Sequence, residues 1–133
     1  MQRQWIGFCV FVMLGCDTLA RSTLRLAPST STPAASNVEV TRQQADALKA
    51  VERLALQFGL TEIDMDGCEQ AWELRGFRRG GKNLVVCAQR PSLDVLDVTI
   101  SEINGWSAEA ERLQAALTDT LARFGRVQAT GRR

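Results

Sequence analysis

The chain has no histidine, no tyrosine and only three prolines in its 133 residues. Without His there is no side chain whose ordinary pKa lies near neutrality, and neither a His-bearing triad nor a His-ligated metal site can be built. The charges nearly balance, because sixteen basic side chains stand against fifteen acidic ones. That balance removes the long-range electrostatic case for nucleic acid as a partner. Long apolar runs are missing too. The run from Trp5 to Leu14 is about half of the roughly 20 residues that a permanent bilayer-spanning helix requires. No stretch has the pattern of a nucleophile elbow, a phosphate loop or a zinc site, so no catalytic residue, cofactor or metal is expected.

What is present begins with the leader. Arg3 supplies a positive charge, Trp5 to Leu14 an apolar core, and Gly15 a small residue before Cys16, which is the layout of a signal peptide over residues 1–15. The run Met13-Leu14-Gly15-Cys16 resembles the lipobox of bacterial lipoproteins, with Met13 where Leu is usual and Leu14 where a small residue is commoner. In that family the Cys takes a diacylglyceryl group and becomes the mature N-terminus. The resemblance covers only this junction. It implies lipidation at Cys16, a membrane as partner through that lipid, and a location in the cell envelope facing the periplasm. Asp17 resembles the inner-membrane retention signal of enteric lipoproteins; other lineages read neighbouring positions, so inner and outer membrane both stay open.

After Cys16 the chain is rich in Ser, Thr, Ala and Pro up to Asn37. Such composition predicts a disordered linker over 16–37 that would reach roughly 25 Å. A single domain is expected over 38–127, followed by a disordered tail over 128–133.

Within the domain, Thr41 and Gln44 fit a capping box, and Leu48, Val51, Ala55 and Phe58 form an apolar stripe on a helix ending at Gly59, with Leu60 folding back. A second helix is expected after Ser107, with Glu109 and Glu111 in its first turn and a stripe of Leu113, Leu117, Leu121 and Phe124 before Gly125. Between them the period becomes two. Leu96, Val98 and Ile100 alternate with polar residues, Leu84 to Ala88 suits a central strand, and Trp72 to Arg75 begins another, with Gly76 as a bulge. Arg79-Gly80-Gly81-Lys82 reads as the hairpin turn, and Ile63 and Met65 as a short edge strand. The fold class expected is α+β, a two-layer sandwich of order α-(β)-β-β-β-α, with an antiparallel sheet and two helices on one face. The double-stranded-RNA-binding domain has a similar order. Its second helix opens with lysines, however, whereas this one opens with Ser107-Ala108-Glu109-Ala110-Glu111.

Cys9 leaves with the leader and Cys16 takes the lipid, so Cys68 and Cys87 remain as a pair, expected as a disulfide in an oxidising periplasm. A redox role is disfavoured, since there is no Cys-x-x-Cys. Arg75, Arg78, Arg79 and Lys82 gather along the proposed hairpin as a candidate anionic contact, with a plain solvated turn as the blander reading. Asp64 to Glu69 reads as a polar turn, Trp72 and Trp106 as covers for the core edge, and no spacing singles out Glu69 and Glu73 as an acid/base pair. The expected function is a non-catalytic lipoprotein that binds a protein partner in the envelope, as an assembly or accessory subunit. The alternative is an immunity or inhibitor protein against a toxin or wall hydrolase.

Overall fold

The computed structural model describes residues 19–28, 37–74, 84–103 and 105–130. In chain order its elements are β1 (Ala20–Ala27), α1 (Asn37–Gln57), β2 (Thr61–Ile63), β3 (Gln70–Leu74), β4 (Leu84–Ser92), β5 (Val95–Glu102), α2 (Ala108–Leu121) and β6 (Arg126–Thr130). The strands form one antiparallel sheet of order β2-β3-β4-β5-β1-β6. One face carries Leu24, Leu26, Trp72, Leu84, Val86, Ala88, Leu96, Val98 and Ile100, all buried in a single cluster with Ala47, Val51 and Ala55 of α1 and Leu113, Leu117 and Leu121 of α2. This is the expected α+β sandwich with both helices on one face, enlarged by two strands.

The first added strand corrects the linker. Ala20–Ala27 is not a tether but an interior strand, paired from Ala20↔Glu102 to Leu26↔Leu96 on one side and from Thr23↔Thr130 to Ala27↔Arg126 on the other. Its alternation is regular: Ala20, Ser22, Leu24 and Leu26 are buried, and Arg21 and Arg25 face out. On the outer face Arg25 grips Asp97 with two hydrogen bonds of 2.8 Å, and the Thr23 and Thr99 hydroxyls lie 3.0 Å apart. Each pair is a direct cross-strand partnership. The second added strand corrects the tail, because residues 128–130 complete β6.

Helix ends follow local chemistry, with one correction. α1 starts at Asn37, four residues before Thr41, so Gln44 has no free helix start to reach back to. It is buried instead, and its Nε2 donates to the Asp94 carbonyl at 3.2 Å, tying α1 to the β4–β5 turn. At the other end the expectation holds. Gly59 takes φ +87°, the Leu60 N–H bonds the Ala55 carbonyl at 2.9 Å and the Gly59 N–H bonds that of Leu56 at 3.0 Å, closing a Schellman motif under a buried Leu60. Ser107 caps α2 by accepting from the Ala110 N–H at 3.1 Å. Its own N–H donates to buried Glu102 at 2.8 Å, which fixes where α2 leaves the sheet. α2 ends at Leu121, and Phe124-Gly125 follow in the turn to β6. A Cβ on Gly125 would stand 2.4 Å from the Ala27 carbonyl oxygen, so only glycine lets β6 enter beside β1.

Trp72 is not a core-edge cover but a fully buried side chain on the inner face of β3. Trp106 does sit at the core edge, half-buried, donating from Nε1 to Glu111 at 2.8 Å. Thr61–Ile63 forms the edge strand, whereas Met65 lies beyond it, exposed.

Losing β1 would remove Leu24 and Leu26, each contributing about 1.5–3 kcal/mol of burial, and leave β6 without a ladder. A chain beginning at Val38 is therefore expected to show no cooperative urea transition by circular dichroism, whereas one beginning at Leu19 unfolds in a single step. A cooperative transition of equal midpoint in both would show β1 to be dispensable.

Candidate functional site

An antiparallel sheet has two ends, and the chain builds them differently. At one end lie Ala20, Glu102, Leu84 and Leu74, neighbours across four strands. At the other end lie Gln70, Ala88, Val95 and Leu26 with the β4–β5 turn. The disulfide, a two-pronged ion pair and a pinned hairpin turn collect at this second end.

The turn at Met65 to Cys68 closes through the Cys68 N–H to the Met65 carbonyl at 3.2 Å, and Glu69 then donates its N–H to Ala88 at 2.7 Å. This delivers Cys68 to Cys87 on the outer face of β4, and the two are joined by a disulfide with Cα atoms 5.5 Å apart. The pairing expected from the sequence is thus present. It closes a segment of 19 residues of separation, and restricting such a loop in the unfolded chain stabilises the fold by about 3 kcal/mol. Asp64 to Glu69 forms the expected polar turn, and the Gln89 side chain donates to the Gly67 carbonyl within it.

Beside the disulfide, Arg90 holds Glu69 in a two-pronged contact, Nε to Oε1 at 3.0 Å and Nη2 to Oε2 at 2.7 Å. Hydrogen bonding from Arg90 lowers the Glu69 carboxyl below its ordinary pKa; burial opposes that shift, and the charge of Arg90 adds to it. Sequence reasoning missed Arg90. The available signal was the disulfide itself, because bridging Cys68 to Cys87 brings the flanking Glu69 and Arg90 within reach of each other.

The ion pair floors two open depressions. One, of about 410 Å³, is lined by Gly67, Cys68, Glu69, Gln89, Arg90 and Pro91. The other, of about 480 Å³, lies between Glu69, Arg90, Ser92, Leu93 and Thr41 in the second turn of α1. Leu93 occupies the tip of the β4–β5 hairpin and is 67% exposed. The turn beneath it is pinned twice, by Ser92 Oγ to Asp94 Oδ1 at 2.8 Å and by Gln44 to the Asp94 carbonyl.

Glu69 and Glu73 do not form a working pair. Four residues apart on extended chain, they are separated by roughly 13 Å, and Glu69 is committed to Arg90 while Glu73 is buried at the other end of β3. Arg75, Arg78, Arg79 and Lys82, the proposed anionic contact, lie outside the described residues, as do Gly76, the Gly80-Gly81 turn, and Cys16 with the leader. Compared with protein-family models and with curated protein sequences, the chain matches none.

At 29% and 38% side-chain exposure, Arg90 and Glu69 form a surface ion pair that contributes at most about 1 kcal/mol. Because the folded carboxyl is lowered, that contribution is complete above the pKa of a free Glu and is lost as pH falls through the folded value. Glu69→Gln is accordingly expected to lower the urea midpoint at pH 7 and to lower it less near pH 3. An equal loss at both values would assign the effect to something other than the ion pair.

Proposed function

We propose that the chain is a lipid-anchored bacterial envelope protein whose domain binds a protein partner through the Leu93 end of the sheet. The observation that carries the reading is the make-up of that end, where a disulfide, a two-pronged ion pair and an exposed leucine on a pinned turn occur together. A disulfide in a small domain suits an oxidising compartment, which agrees with the export implied by the leader. A leucine at a hairpin tip is not something the turn needs, since tight hairpins favour Asn and Gly there. Held by Gln44 and Asp94 on a fixed backbone, Leu93 can enter a partner's pocket without first being ordered, which lowers the entropic cost of association.

Binding is favoured over catalysis by the state of the carboxylates. Glu69 is neutralised by Arg90, and Glu73 is too far away to act with it. Among the described residues no helix is long and apolar enough to cross a membrane, and the lipid at Cys16 would supply attachment instead.

Two measurements test the two halves. Expressed in a bacterium, the wild-type chain is expected in the membrane fraction with the mass of the acylated form, and Cys16→Ser to lose that mass. The same unacylated mass in both would end the anchor reading. For the partner, a photo-crosslinking residue at Leu93 is expected to give a discrete adduct in living cells, and one at exposed Lys49 on α1 to give none. Identical patterns from the two positions would remove Leu93 as the contact.

A further inference from the structure

The far end of the sheet carries a different surface. Leu19 and Ile103 flank the last β1–β5 pair, Ala20↔Glu102, and are 46% and 45% exposed. α1 finishes at the same end, because the chain that leaves it enters β2 at Thr61 opposite Glu73, beside Leu74 and Leu84. Its last turn presents Leu56, 54% exposed. Three of the large exposed apolar side chains therefore belong to the end at which the chain enters the domain.

We infer that this end, with Leu19, Leu56 and Ile103, rests on the lipid headgroup region of the membrane. The inference rests on the proposed lipid anchor at Cys16 and adds an orientation to it. With β1 starting at Ala20, only Asp17 and Thr18 separate Cys16 from Leu19. Three residue steps extend at most about 11 Å. The eight residues of β1 run about 26 Å from this end to the other, so the Glu69–Arg90 end lies out of the tether's reach of the headgroups. Geometry alone turns the entry end toward the bilayer. The three apolar side chains suit that position, because aliphatic groups at the headgroup boundary leave water at a gain of about 25 cal/mol per Å². The end that carries Leu93 then points outward.

The test uses the full acylated protein reconstituted into vesicles of phosphatidylethanolamine and phosphatidylglycerol. Spin labels are placed by Ile103→Cys, Leu56→Cys and Leu93→Cys, and each is read for collisions with membrane-dissolved oxygen and with a water-soluble nickel chelate. The oxygen-to-nickel ratio is expected to be severalfold higher at Ile103 and Leu56 than at Leu93. Intact mass of each sample reports acylation independently. Acylated protein with one ratio at all three positions would overturn the orientation and leave the anchor standing. Unacylated protein would overturn the anchor, and the orientation with it.

Discussion

A strand inside a sheet has two rows of backbone hydrogen bonds to satisfy, and β1 satisfies both with segments far away in sequence. Glu102 pairs with Ala20, and Thr130 with Thr23. β6 touches the sheet through β1 alone, and its entry beside Ala27 requires the missing side chain of Gly125. The core depends on the same strand, since Leu24 and Leu26 belong to the inner-face cluster shared with both helices. Loop-closure entropy grows slowly with length, so recruiting a strand across about 75 residues costs little more than recruiting it across a dozen. Register then comes from the side chains. A slip of one residue would bury Arg21 and Arg25 and expose both leucines.

The polar face reinforces that register with contacts specific to it. Arg25 meets Asp97 and Thr23 meets Thr99 only in the observed pairing. These are surface interactions of small individual worth, and their importance is geometric rather than energetic. The inner face chooses which side of β1 is buried; the outer face chooses which residue stands opposite which.

Where the sequence was legible and where it was not follows from the same residues. The central strands were readable because Leu96, Val98 and Ile100 are large, apolar and strictly alternating, and both helix stripes repeat at three and four residues. The Cys68–Cys87 pairing followed from elimination. β1 carries the same alternation in weaker form: two of its four buried positions are Ala20 and Ser22, and it sits in a stretch of Ser, Thr and Pro that composition assigns to a linker. Small buried residues give little hydrophobic contrast, so composition outvoted period. β6 has one sizeable apolar residue, Val127, and takes its strand conformation from its neighbour. Gln44 reads as a cap only for a helix that begins at Thr41. Its actual role depends on a turn fifty residues away, which no local pattern announces.

Antiparallel topology also sorts the molecule's chemistry. Successive connections alternate between the two ends of the sheet, so residues distant in sequence gather according to which way their strands run. The 64–69 turn, the β4–β5 hairpin and the first turns of α1 fall at one end, where Cys68, Arg90 and Gln44 tie them together. The chain's entry, the end of α1 and the start of α2 fall at the other, where Glu102 orders Ser107 and Leu19, Leu56 and Ile103 stand exposed. In the proposed arrangement the length of β1 separates anchorage from recognition. On that proposal, shortening the tether by making 20–27 part of the fold would turn a loosely hung domain into an oriented one, with the Glu69–Arg90 rim directed away from the lipid.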